Sequence, residues 1–153
     1  MSPPPVRCVS LTPIGVLRTP FATLADCPRN GRALNPPPLC HVELAEGMEE
    51  GLESIEGFSH LILLYWLGGD FPRLLRVTPR SSDRSRGVFA TRSPRRPNPI
   101  GLSVVTLEGR QGRVLAVRNL DCLDGTLLLD IKPYIARTDA EPAAGRGWLD
   151  APP

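Results

Sequence analysis

The stretch Ile100 to Leu120 reads Ile-Gly-Leu-Ser-Val-Val-Thr-Leu-Glu-Gly-Arg-Gln-Gly-Arg-Val-Leu-Ala-Val-Arg-Asn-Leu. Ile100 to Glu108 alternates, Gln111-Gly112 supplies a turn, and Val114 to Leu120 alternates again, so the stretch predicts a β-hairpin. Upstream, His60 to Leu67 is apolar on both faces and predicts a fully buried strand. Cys40 to Leu44 alternates as a short strand, Val6 to Leu17 reads as a β segment broken or confined to an edge by Pro13, and Leu74 to Thr78 adds a short strand. Downstream, Asp121 to Thr126 is a tight acidic turn and Leu127 to Ile131 a further buried strand. Glu46 to Ile55 spaces Met48, Leu52 and Ile55 as one side of a short surface helix. Many short strands with one short helix and long loops predict a mainly β protein, a small closed or strongly curved β-barrel.

The 153 residues form one domain with enough length to bury a core. Residues 1–10 are expected to be a flexible proline-rich start, 11–139 the barrel, and 140–153 a loosely held tail rich in Ala, Gly, Pro and Arg. No apolar run approaches a membrane span, and the start, Met1-Ser-Pro-Pro-Pro, has no basic region followed by an apolar one, so a soluble, cytoplasmic protein is expected. Cys8, Cys27, Cys40 and Cys122 form no Cys-x-x-Cys pair and only His41 and His60 accompany them; reduced thiols and no metal are expected. There is no Gly-x-Gly-x-x-Gly, no phosphate loop of Walker type and no Gly-x-Ser-x-Gly, so standard nucleotide and hydrolase sites lack support.

The net charge of +2 conceals a segregation. Six glutamates and no basic residue lie between Glu43 and Glu56, whereas eight arginines face the single acid Asp83 between Phe71 and Gly101. Within that basic segment, Gly87 to Gly101 carries Pro94, Pro97 and Pro99, which fix their own backbone angles and extend the residues before them. Arg92, Arg95 and Arg96 therefore stand on a stiff loop with little ordering cost left when an anion arrives. A solvated arginine-rich turn accounts for the same composition. Two further polar loops, Cys27 to Gly31 and Asn119 to Thr126, punctuate the strands, and Asp121 and Asp124 of the second can accept from a ribose or cap their own turn. Asp130 and Lys132 share one side of a strand and can pair.

Taken in order, Pro13-Ile-Gly15 with Thr19-Pro-Phe21, Pro28-Arg29, Gly51 to Leu61, Gly87 to Ser93 with Arg96 to Gly101, and Leu120 to Thr126 with Leu129 to Tyr134 closely resemble the TsaA/YaeB-like family, which includes the TrmO tRNA methyltransferases. The resemblance covers roughly residues 11 to 139. It implies a single-domain member: a small β-barrel that binds S-adenosylmethionine, works as a homodimer and methylates the exocyclic amine of threonylcarbamoyl-adenosine beside the anticodon of tRNA. By motif position it implies cofactor contacts at Asn30, Gly31, Arg32, Gly68, Gly69, Arg92, Leu102, Leu120, Asp121, Cys122 and Asp124. Arg92 would neutralise the methionine carboxylate and Leu102 would cover the adenine. No catalytic residue is assigned. Arg84, Arg86, Arg95, Arg96 and Lys132 are the candidates for meeting RNA phosphate. Asn30 replaces a usual glutamine of the family and Gly68 a common histidine. A non-catalytic module that binds S-adenosylmethionine, without activity on tRNA, is the alternative.

Overall fold

The computed structural model describes residues 7–150; most of the proline-rich start, including Val6, and the last three residues lie outside the described residues. Six antiparallel strands close a barrel in the order β1, β2, β7, β6, β3, β8. Their bounds are Gly15–Arg18 (β1), Cys40–Leu44 (β2), His60–Trp66 (β3), Ile100–Gln111 (β6), Val114–Arg118 (β7) and Thr126–Pro133 (β8). A separate two-stranded ribbon pairs β4, Arg76–Val77, with β5, Arg86–Gly87. The expected β-barrel is therefore the observed fold.

The hairpin forms as expected, with Gly112 in the left-handed region at its turn (φ 57°), where a side chain would be strained. β6 is long enough to pair first with β3, Ile100 opposite Trp66, and then with β7, Gln111 opposite Val114. Within the pairing with β7 the register slips at Leu107/Gly109, a bulge that bends the strand around the barrel. β8 slips likewise opposite Leu64/Tyr65, where it passes from β3 toward β1. These two irregularities let a sheet of short strands close on itself, which leaves no edge to pair with another chain.

The interior is filled by Leu17, Val42, Leu44, Leu61, Leu63, Tyr65, Val105, Leu115, Val117 and Leu128. β3 corrects the expectation of a strand buried on both faces. Leu61, Leu63 and Tyr65 face inward, while Ile62, Leu64 and Trp66 are only half-buried on the outer surface. Four further expectations change. Only Gly15–Arg18 of the first β segment pairs, since residues 7–14 form no strand. The helix over Glu46 to Ile55 is replaced by two 3-10 turns, Glu49–Leu52 and Ile55–Gly57. Gly47, Gly51 and Gly57 weaken an α-helix there, and Ser54 takes φ 67° between the turns. β4 shrinks to two residues, and its partner β5 reaches into the stiff loop at Gly87, where no strand is expected. β8 is longer than expected but buries only Leu128 fully. After β8 come one helical turn, α1 (Ala136–Asp139), and a 3-10 turn at Gly147–Asp150.

Candidate functional site

The acidic turn that follows β7 closes one end of the barrel, and main-chain bonds hold it there. Asp124 N donates to Phe21 O and Gly125 N to Leu17 O, each at 2.9 Å, while Thr19 Oγ1 donates to Cys122 O at 2.8 Å. Thr126 Oγ1 closes the turn on Leu123 O at 2.7 Å. Leu120 and Cys122 are buried and anchor it in the core. Burial pushes the Cys122 thiol up to about 12, with the nearby Asp121 charge acting in the same direction.

Asp121 is the polar centre of this end. The Tyr65 hydroxyl donates to Asp121 Oδ1 at 3.1 Å, and Ser103 Oγ lies 2.8 Å from that hydroxyl and 3.4 Å from the same carboxylate oxygen. Burial, and then the Asp121 charge, push the Tyr65 phenol far above its ordinary range, so it stays a proton donor. Asp121 Oδ2 makes no hydrogen bond among the described residues, which leaves one oxygen of an oriented carboxylate for a ligand. Gly101 is the reason the ring fits: a Cβ there would fall on the Tyr65 ring.

The first polar loop docks onto the same turn. A Cβ at Gly31 would fall on the Asn119 carbonyl oxygen, so glycine permits the close approach of the two backbones. Asn119 itself takes φ 74° and donates from Nδ2 to Thr106 Oγ1 at 3.1 Å. Asn30 orders the loop from within, its Oδ1 accepting from Arg32 N at 2.9 Å and its carbonyl from Ala33 N at 3.0 Å. Cys27 on this loop has its thiol raised by burial first and then by the charges of Asp121 and Asp26. Two hydrogen bonds from Thr23 hold the Asp26 carboxyl below its ordinary range.

Of the sequence-predicted cofactor residues, Asn30, Gly31 and Arg32 are thus gathered against Leu120, Asp121 and Cys122. Asp124 belongs to the turn, but its carboxylate is occupied by Thr19 N at 3.1 Å and lies 3.9 Å from Arg18 Nη1. Gly68 and Gly69 follow the end of β3, where Leu67 N donates to Pro99 O at 2.7 Å. Leu102 lies near the start of β6 beside Ser103 but points the opposite way, and it is 53% exposed on the outer surface. Its side chain therefore does not join the Asp121 cluster. Arg92 is exposed on the arginine loop and makes no side-chain bond among the described residues. A cavity lined by Leu44, Leu52, Ile55, Phe58, Asp130 and Ile131 opens at the other end of the barrel, away from all of these positions.

The RNA candidates divide. Arg84 and Arg95 have free guanidinium groups among the described residues. Arg96 Nη1 donates to Thr91 O at 2.9 Å, Arg86 lies over the Trp148 ring, and Lys132 pairs with Asp130 at 2.8 Å, an exposed pair that contributes little to stability. Tyr65, Ser103 and Asn119 are the site residues that sequence reasoning missed. A buried serine at an inner position of an alternating strand is the signal that was present for Ser103.

A family model described as the tRNA-methyltransferase O N-terminal domain matches residues 16–140. A probable S-adenosyl-L-methionine-binding protein of Archaeoglobus fulgidus is 45% identical over 142 residues, covering 93% of this chain and 38% of that protein. The tRNA (adenine(37)-N6)-methyltransferase of Mus musculus is 36% identical over 134 residues, covering 84% of this chain and 31% of that protein. The chain thus spans well under half the length of both. Among solved structures, the crystal structure of TrmO from Pseudomonas aeruginosa is similar with a TM-score of 0.78 and 40% identity, over 96% of this chain and 65% of that one.

Proposed function

Because the chain belongs to the tRNA-methyltransferase O N-terminal domain family, we propose that it is an S-adenosylmethionine-dependent methyltransferase whose substrate is the exocyclic amine of threonylcarbamoyl-adenosine beside the anticodon of tRNA. The observation that carries this reading is the oriented Asp121 carboxylate, with one oxygen held by Tyr65 and the other making no hydrogen bond among the described residues, on the turn whose Asn119 backbone meets Gly31 of the first loop. The donor set suits the cofactor. A carboxylate favours a nearby sulfonium and accepts from ribose or amine, and Arg32 and Arg92, whose guanidinium groups are free among the described residues, suit the methionine carboxylate. Asn30, Gly31, Arg32, Gly68, Gly69, Arg92, Leu102, Leu120, Asp121, Cys122 and Asp124 would line the bound molecule, Asp124 through its backbone and Leu102 from the outer surface.

S-adenosylmethionine supplies an electrophilic methyl group on a good leaving group, so the protein's task is placement more than proton transfer. Tyr65 and Ser103 fix the Asp121 carboxylate, and Asp121 Oδ2 can then accept a hydrogen bond from the attacking amine, orient its lone pair and take the proton that the methylated nitrogen loses. The stiff loop Gly87 to Gly101 presents Arg92 without further ordering, and Arg84 and Arg95 meet phosphate. A homodimer in the cytoplasm is part of the proposal: the outer surface of β8, β3 and β6 exposes Leu127 and Ile100 beside Leu64 and Trp66, a patch that a second copy can cover.

The test is incubation with labelled S-adenosylmethionine and tRNA from cells lacking the endogenous enzyme. Transfer of label to the modified adenosine is expected; none from a folded, cofactor-binding protein overturns methylation. The alternative reading, cofactor binding without transfer, draws on the Archaeoglobus fulgidus relative, which is described only as binding S-adenosyl-L-methionine. Tight calorimetric binding of the cofactor without RNA binding would favour it.

A further inference from the structure

Phe89 stands in the middle of the arginine-rich segment with 73% of its surface exposed. It sits on the 3-10 turn Val88–Ala90, which is held from several sides. Val88 is fully buried and its N–H donates to Leu75 O at 2.9 Å; Thr91 donates to Val88 O through both its N–H, at 3.0 Å, and its hydroxyl, at 2.8 Å. From the far end of the chain, Trp148 Nε1 donates to Ala90 O at 2.8 Å, and the Arg86 guanidinium lies 5.2 Å from the centre of the Trp148 ring. Gly147, with φ 58°, makes the turn that delivers Trp148. An exposed phenyl ring on so well tied a turn is preorganised, and it buries nothing in the protein's own core.

Its surroundings are cationic. Arg84, Arg92 and Arg95 are exposed and their guanidinium groups are free among the described residues, whereas Arg73, Arg76 and Arg96 donate to Pro94, Ser85 and Thr91 and so build the segment. Leu75, 69% exposed and joined to Val88 across the ribbon, gives the turn an apolar flank. A rigid exposed ring among free arginines is the combination that binds unpaired nucleotides: the ring takes the face of a base and the arginines take the phosphates on either side. A surface that only neutralised phosphate would have no use for the phenyl ring.

We propose that Phe89 is a stacking platform for an unpaired base of an RNA loop, and that Trp148 with Arg86 is the latch that holds the platform in place. The proposal rests on the tRNA reading and adds to it a residue that touches base rather than phosphate. It also takes Arg86 out of phosphate contact and gives it a positioning role.

The experiment measures binding of a fluorescently labelled anticodon stem-loop RNA, and of the same RNA with abasic loop nucleotides, to the full chain and to Phe89→Ala, Phe89→Tyr and Trp148→Ala. The unaltered protein is expected to prefer the base-bearing RNA. Phe89→Ala should weaken that complex by roughly tenfold and leave the abasic one unchanged, Phe89→Tyr should retain binding, and Trp148→Ala should weaken the base-bearing complex by a smaller factor. Equal loss on both RNAs, no loss, or a loss that follows a changed oligomeric state in sedimentation overturns the platform. Calorimetric titration of the same samples with S-adenosylmethionine separates the two readings: cofactor binding with an inert Phe89 removes the platform alone, while absence of both cofactor and RNA binding removes the methyltransferase reading with it.

Discussion

The closed end of the barrel and the arginine segment both present charge, and they do so by opposite means. At the barrel end a single carboxylate, Asp121, is positioned by two side chains from β3 and β6 that are themselves buried, Tyr65 and Ser103. In the segment several guanidinium groups project into water from a backbone stiffened by prolines and turn bonds. Burial raises the Tyr65, Cys122 and Cys27 groups, and the Asp121 charge, weakly screened among buried neighbours, adds to that shift. Exposed charges act at longer range but yield to salt. The first arrangement suits the orientation of a small reacting group, the second the attraction of a polyanion.

The sharpest test of the contrast is alkaline pH. Cys122 has its folded-state pKa raised from 9.0 to about 12, so its contribution is fully present below pH 9 and is lost as pH rises toward 12, because the unfolded chain gives up the proton first. Urea unfolding across that window should show stability falling, by at most about 4 kcal/mol from this thiol, and Cys122→Ala should flatten the fall. Tyr65 acts in the same direction.

Gly31→Ala strikes the junction between the first loop and the turn. The added methyl meets the Asn119 carbonyl, so a cost of about 3 kcal/mol in stability and loss of cofactor binding in calorimetry are expected. Arg92→Ala should weaken cofactor binding by about 1.5 to 3 kcal/mol while leaving the melting temperature in place; an unchanged affinity removes Arg92 from the site. Tyr65→Phe leaves Asp121 and Ser103 without their shared partner and should cost about 1 to 2 kcal/mol by denaturant titration. The smallest effect on folding belongs to the segment. Arg84→Ala combined with Arg95→Ala should leave the denaturation midpoint alone and lower the slope of log affinity for RNA against log salt by about 1.4, two single-strand phosphate contacts. A constant slope would show that these guanidinium groups do not meet phosphate.

Much of the barrel was legible because alternation and turn residues are local signals. Cys40 to Leu44 and the hairpin around Gly112 match the reading, and Asp121 and Gly31 stand on loops whose polarity marks them out. β3 misled, since an outer surface made of Ile62, Leu64 and Trp66 looks like core when only one strand is read. Tyr65 and Ser103 were hidden inside apolar runs, and their role depends on Asp121, 56 and 18 residues away in sequence. The glutamate-rich segment spaced its apolar residues like a helix, yet its glycines and the left-handed Ser54 divide it into two tighter turns.

By itself the sequence determined that short alternating strands would be joined by rigid, charged loops, because pattern, proline and glycine act within a few residues of where they stand. Only the tertiary structure decided which charges remain available. Closure of the barrel carries Asp124 to Thr19, 105 positions away, and the fold-back of the tail carries Trp148 to Ala90, 58 away, so that a carboxylate and a tryptophan become scaffolding. Partners that distant are chosen by how the strands pack around a shared core, a property no single stretch of the chain contains.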